Sequence, residues 1–207
     1  ALEDYKVSLD NYPNDKFTLV NMGIVNIQKK DYDQAEKYLN ELLRIYPTYT
    51  QGYLTRGAMY QEKGDTIQAF ENYNEAIKQD KYMAQSYSMR GLLHYYKKDY
   101  DKALADLDEA IKIEPLQSGN YINRGLIRYS KNDLRGAMAD YDKVIELDAN
   151  NIIARFNRGL LRAQVGDDNR AIAEAEECTQ TGHRVLASIG GVMSPEMEIP
   201  KLMWLKR

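Results

Sequence analysis

Apolar and polar positions along the chain recur every three to four residues, the period of an amphipathic helix, and the runs are short. Between Ala84 and Lys97, residues Tyr87, Gly91 and His94 follow one another at spacings of four and three. After Lys98-Asp99, the stretch Asp101 to Glu114 carries Ala103, Leu107, Ala110 and Ile111 at the same period, and Pro115 ends it. The pattern predicts two helices joined by a tight turn. Asp99 sits where a side-chain oxygen can accept from the free amides that open the second helix.

The same pair recurs along the chain. Gly23, Gly57, Gly91, Gly125 and Gly159 are each 34 residues apart, and so are Ala35, Ala69, Ala103, Ala137 and Ala171. Asp31, Asp65, Asp99, Asp133 and Asp167 form a third series at that period. Five units follow, over 16–49, 50–83, 84–117, 118–151 and 152–185. Gly in the first helix and Ala in the second are constraints of size, because closely crossing helices need a missing side chain on one and a small one on the other. A lone pair cannot bury its apolar stripe, so stability requires neighbours stacked on either side.

In the second unit Tyr53, Gly57, Tyr60, Ala69, Tyr73 and Ala76, and in the fourth Tyr121, Gly125, Ala137, Tyr141 and Val144, resemble the tetratricopeptide repeat family, whose unit is also 34 residues. The resemblance runs from residue 16 to about 182. It implies an all-α fold: an α-solenoid, wound as a right-handed superhelix of antiparallel helix pairs. One departure recurs. The residue before the glycine, usually Leu, is Arg56, Arg90, Arg124 and Arg158. Asn123-Arg124-Gly125 and Asn157-Arg158-Gly159 look like a common bacterial variant of the repeat.

The ends follow the same register. Ala1, Tyr5 and Pro13 stand 34 residues before Ala35, Leu39 and Pro47, so residues 1–15 read as the second helix of a truncated preceding repeat, and the chain as a fragment of a longer one. The fifth unit is degenerate, with Ala175, Cys178 and Gly182 where an aromatic, Ala and Pro belong. Residues 186–207 form a non-repeat C-terminal tail, broken by Gly190-Gly191 and Ser194-Pro195 but apolar at Ile199, Leu202, Met203, Trp204 and Leu205. It reads as a cap over the last repeat, as a segment that docks in a groove, or as sequence that is not native.

Function, by the resemblance, lies on the concave face formed by the first helix of each pair, at the second, fifth, ninth, twelfth and thirteenth places of the unit. Those places hold Phe17, Val20, Ile24 and Ile27, then Gln51, Leu54, Ala58 and Gln61, then Gln85, Leu92, Tyr95 and Tyr96. They continue with Ile122, Leu126 and Tyr129, then Ile153, Phe156, Leu160 and Gln164, with Asn21, Asn123 and Asn157 alongside. The set is apolar and aromatic with an amide fringe. Family members that grip the acidic tails of heat-shock chaperones use Lys, Arg and Asn at such places; here the Asn are present and the cations are not, so a carboxylate clamp is not expected. An apolar strand or amphipathic helix suits these residues. The same side chains, at helical spacing, equally suit packing between adjacent helices.

The arginines admit two readings as well. Asp106, Asp140 and Glu174 lie where they could meet Arg90, Arg124 and Arg158 in an internal ladder of ion pairs; alternatively the guanidinium forks form a row that binds phosphate or carboxylate. The formal charge of −3 favours the ladder and argues against nucleic acid as a partner.

No enzyme is visible. His94 takes a place that is Tyr60 in the preceding unit, and Cys178 with His183 reads as a core thiol near a surface imidazole. No HExxH, GxGxxG, Walker or GxSxG motif occurs. One cysteine in 207 residues excludes an internal disulfide and a multi-cysteine metal site, and no cofactor is expected. No run of 18 apolar residues occurs, so membrane insertion is not expected either. The single cysteine suits the cytoplasm, the first expectation, and an oxidising periplasm alike.

The sequence therefore predicts a protein–protein interaction scaffold that binds an apolar peptide or helix in its groove. The alternative is a structural, self-associating module of a larger protein, pairing through its tail or through end-helix residues Leu2, Val7 and Leu9.

Overall fold

The structure, a computed structural model, describes residues 2–167 and residue 170. Ten α-helices and no strand occur among the described residues: α1 Leu2–Asn11, α2 Lys16–Gln28, α3 Tyr32–Ile45, α4 Thr50–Lys63, α5 Thr66–Gln79, α6 Ala84–Tyr96, α7 Tyr100–Ile113, α8 Ser118–Ser130, α9 Leu134–Leu147 and α10 Ile152–Gln164. The fold is all-α, of the helix-pair solenoid class. The chain divides into two compact units, Ala1–Glu114 and Pro115–Arg207. Residues 186–207, together with Glu174, Cys178 and His183, lie outside the described residues.

In the first unit α2 pairs with α3, α4 with α5 and α6 with α7, while α3 packs on α4, α5 on α6 and α1 on α2. In the second, α8 pairs with α9, and α10 packs on α9. Ala35, Ala69, Ala103 and Ala137 are wholly buried. Opposite Gly23, Gly57 and Gly125 of the first helices stands one large residue of the second. A Cβ placed on Gly23, Gly57 or Gly125 would come within 2.7, 2.6 and 2.8 Å of Leu39, Tyr73 and Tyr141. The helices thus approach as closely as the missing side chain allows.

The turn inside each pair is the same device repeated. Lys30, Gly64, Lys98, Asn132 and Gly166 all adopt positive φ, between 61° and 86°. The next residue, Asp31, Asp65, Asp99, Asp133 or Asp167, sends its amide back five residues to the carbonyl of Asn26, Tyr60, His94, Arg128 or Arg162, at 2.8–2.9 Å. This is the Schellman closure of a helix C-terminus, which needs a left-handed residue just past the helix. Asp31, Asp65 and Asp133 then cap the second helix by accepting from the amides of Gln34, Gln68 and Gly136. Asp99, expected to do the same, makes no side-chain cap bond. Its carboxylate meets the Lys102 ammonium at 2.8 Å instead, a cation one turn into α7 that competes with a neutral amide.

Between pairs, tyrosines supply specific bonds. The Tyr53 hydroxyl donates to the Pro47 carbonyl at 2.9 Å, and Tyr121 donates to that of Pro115 at 3.0 Å. Arg155 occupies the equivalent place in α10 and reaches the equivalent carbonyl, Ala149, with Nε at 2.8 Å. In α4, α8 and α10 a long donor at the fourth place of the first helix thus pins the loop before it.

Candidate functional site

Three first helices of the first unit, α2, α4 and α6, share a cavity of about 260 Å³. From α2 come Ile24, Ile27 and Gln28; from α4, Gln51, Leu54, Thr55, Ala58 and Glu62; from α6, Gln85 and Met89. Spacings of three and four along each helix put these residues on one face. The 34-residue register aligns them across helices, Ile24 with Ala58, Gln51 with Gln85, Thr55 with Met89 and Gln28 with Glu62.

The floor is apolar and tight. Leu54 is 3% exposed and Ile27 7%. Leu54 also belongs to the core cluster of Ala69, Tyr73, Ala76 and Leu93, so the cavity rests on the packing of α4 against α5. The fringe is polar: the Thr55 hydroxyl donates to the Gln51 carbonyl at 2.8 Å and lies 3.4 Å from Nε2 of the same glutamine. Glu62 is the one ionisable side chain on the lining.

Of the residues expected in a groove, Ile24, Leu54 and Gln85 meet at this cavity, with Ile27, Gln51 and Ala58. Val20 is 5% exposed and joins the core around Leu19, Ala35 and Leu39. Gln61 accepts from the Tyr73 hydroxyl at 2.9 Å. Phe17 is exposed, with the Lys16 ammonium 5.1 Å from its ring centre, and Asn21 is partly exposed. Leu92 is half-buried on α6, while Tyr95 and the exposed Tyr96 form an aromatic group with Tyr100, ring centres 5.6 and 5.9 Å from Tyr95. In the second unit Ile122, Asn123, Leu126 and Tyr129 on α8 and Phe156 and Leu160 on α10 are partly exposed, whereas Asn157 is buried.

Four lining residues were not expected: Gln28, Thr55, Glu62 and Met89. Gln28 and Glu62 stand at the thirteenth place of their units, the place that nominated Tyr96, so the rule that found one would have found the others. Thr55 and Met89, at the sixth place, became visible only when three helices were brought side by side.

The arginines form an internal ladder. Arg90 donates to both oxygens of Asp106, at 2.9 and 2.6 Å, and with its remaining nitrogen to Asn74 at 2.7 Å. Arg124 grips Asp140 in the same way, and Arg128, one turn on, reaches Asp140 at 2.9 Å. Arg56 meets amides where the others meet acids, Asn72 and Asn40, each at 2.7 Å. Arg158 reaches back to Asp142 at 2.7 Å. Each fork thus reaches the residue sixteen after it, the residue sixteen before it, or both. The backward partners were overlooked, although Asn40, Asn74 and Asp142 belong to one 34-residue polar series. These forks point at the neighbouring second helices, which opposes a free anion-binding row.

His94 packs on Phe70, ring centres 4.8 Å apart, with Asp99 and Asp106 each 4.0 Å away. Burial holds the imidazole below its ordinary value, against the pull of those two acids. Tyr60, its counterpart in the preceding pair, donates to Glu36 at 2.8 Å; burial and then that carboxylate push the phenol up to about 12. Among the described residues no three His, Cys, Asp or Glu side chains gather as a metal set, and no helix is long and apolar enough to cross a membrane.

Stacked helix pairs and a face shared by successive first helices define a helical-repeat interaction scaffold. Models of the tetratricopeptide repeat match residues 18–49 and 84–115, and a TPR repeat model matches 125–166. The chain belongs to the tetratricopeptide repeat family, whose members are in general non-enzymatic scaffolds for protein–protein interaction.

No curated protein matches the chain. Among solved structures it is similar to MamA, at 21% identity over 80% of this chain and 97% of that one, with a TM-score of 0.70. It is similar to pilF of Pseudomonas aeruginosa, at 21% identity over 81% and 76% of the two chains, TM-score 0.75. It is also similar to YrrB, described as a TPR protein with an unusual peptide-binding site, at 16% identity over 93% and 100%, TM-score 0.64. Identities this low establish a common fold.

Proposed function

We infer that the face built by α2, α4 and α6 captures an apolar segment of a protein partner. The observation that carries this reading is the cavity itself: first helices of three successive pairs converge on one concave site of about 260 Å³ with an apolar floor and an amide fringe. A site of that size takes one or two side chains of a ligand, not a whole small molecule. The absence of any lysine or arginine from its lining disfavours a ligand held by its carboxylates. The likeness to YrrB, whose description includes a peptide-binding site, lends support at the level of fold.

Residues on the neighbouring first-helix surfaces extend the proposal: Leu92, Tyr95 and Tyr96 on α6, and separately Ile122, Leu126 and Tyr129 on α8 with Phe156 and Leu160 on α10. Self-association through α1 has less support, since Leu9 packs against the core cluster of α2 and α3, although Val7 is 58% exposed.

The test is selection of a random displayed peptide library on the intact chain and on Ala58→Arg. Ala58 is partly exposed on the lining, so the arginine projects into the cavity without entering the core. Enriched apolar peptides that bind the intact chain and lose the variant by tenfold or more support the site. Peptides that bind both equally would place recognition elsewhere.

A further inference from the structure

Resting on that reading, we propose that the occupant of the α2–α4–α6 cavity is an extended segment that sets a basic side chain against Glu62 beside an apolar one on Leu54. Glu62 carries the only formal charge on the lining. The adjacent Lys63 leaves it, with its ammonium 3.6 Å from Glu36 and 4.0 Å from Asp33 on α3. No cation among the described residues pairs with the Glu62 carboxylate, so a partner's cation has an acceptor in place and no internal competitor. An acidic ligand would instead meet repulsion from that exposed carboxylate.

Two further amides say what form the segment takes. Gln28 and Gln85 lie exposed on the lining, and each offers a ligand one acceptor and two donors. A helix satisfies its own backbone and has no use for them, whereas an extended strand presents unpaired N–H and C=O groups along its length. The thirteenth place also localises the demand for charge. Gln28 precedes Glu62 in that series and Tyr96 follows it, both neutral, so one basic residue of the ligand is recognised rather than a run of them.

The experiment uses the intact chain and three sets of N-acetylated, C-amidated decapeptides of Gly and Ser, each with one Leu and, two residues on, Lys, Gln or Glu. Affinities are measured by fluorescence polarisation at low and high salt. The Lys set should bind about two- to fivefold tighter than the Gln set at low salt, the range for an exposed ion pair, and the Glu set more weakly than either. High salt and Glu62→Gln should each remove the difference. Binding that ignores ligand charge yet is lost in Ala58→Arg overturns the charge assignment and leaves the docking site standing. Failure of every set to bind, or binding that survives Ala58→Arg, overturns both.

Discussion

Arg90 and Asp106 face each other across the α6–α7 pair as a two-bond fork, Nη2 at 2.6 Å from Oδ1 and Nε at 2.9 Å from Oδ2, with the Asp106 side chain only 9% exposed. The same guanidinium reaches Asn74 on α5 at 2.7 Å, so a single side chain ties its own pair to the one before.

Removing that side chain strands a buried carboxylate. Arg90→Ala should therefore cost about 2–4 kcal/mol, read as a lowered denaturant midpoint. Asp106→Asn should cost less, about 1 kcal/mol, because Asn72 already serves Arg56 at the equivalent place. Equal losses in the two variants would mean that charge, not the hydrogen-bond geometry, holds the rung.

Gly57 is a packing constraint of a harder kind. An added Cβ would stand 2.6 Å from Cε1 of Tyr73, a fully buried ring whose hydroxyl is held by Gln61. Overpacking costs about 1–3 kcal/mol, and alanine's helix preference returns up to ~1, so Gly57→Ala should lose about 1–2 kcal/mol. At Gly91 the nearest atoms, the Ala103 carbonyl oxygen and Asp106 Cβ, lie 3.2 Å away and Leu107 lies at 3.5 Å, and Gly91→Ala should stay within about 1 kcal/mol of the parent. Calorimetry of both variants decides the matter, and an equal loss at the two sites would contradict it.

Lys98 carries φ of 62° where Gly64 carries 86° in the preceding pair. A left-handed backbone costs a residue with a Cβ about 1–2 kcal/mol, part of which returns as reduced freedom in the unfolded chain. Lys98→Gly should raise stability by about 0.5–1 kcal/mol, and Gly64→Ala should lower it by about 1 kcal/mol. Thermal midpoints of the two variants should move in opposite directions.

His94 makes stability depend on pH. Because burial lowers its affinity for protons in the folded chain, the unfolded chain, titrating near 6.5, protonates first as pH falls. Its stabilising contribution is whole above about pH 6.5 and is lost as the pH drops towards the folded value. Asp99, Asp106, Arg90 and Lys102 face the ring and set the depth of that fall. His94→Asn, the residue that Asn26 supplies at the same place in α2, should flatten the melting temperature between about pH 7 and pH 5. A slope unchanged from the parent would assign the effect to the carboxylates alone.

Much of this was legible in one dimension. Glycine, alanine and aspartate at a common 34-residue spacing determine helix pairs, their turn and their small-residue contact, because periodicity and size are properties that a residue carries with it. Arg90 and Arg124 with Asp106 and Asp140 sixteen residues on were readable for the same reason. What could not be read was anything that depends on which neighbour arrives. Lys30, Lys98 and Asn132 share a left-handed turn with Gly64 and Gly166, and no side-chain property marks the lysines for it; the Schellman closure imposes it. Val20 and Leu54, alike in sequence position and hydrophobicity, both close into a core cluster, yet only Leu54 also lines the α2–α4–α6 cavity. Sequence alone determined the repeat and the face that each first helix offers. Only the tertiary structure decided which of those faces stay open, since an open site is the volume that three helices together leave unfilled.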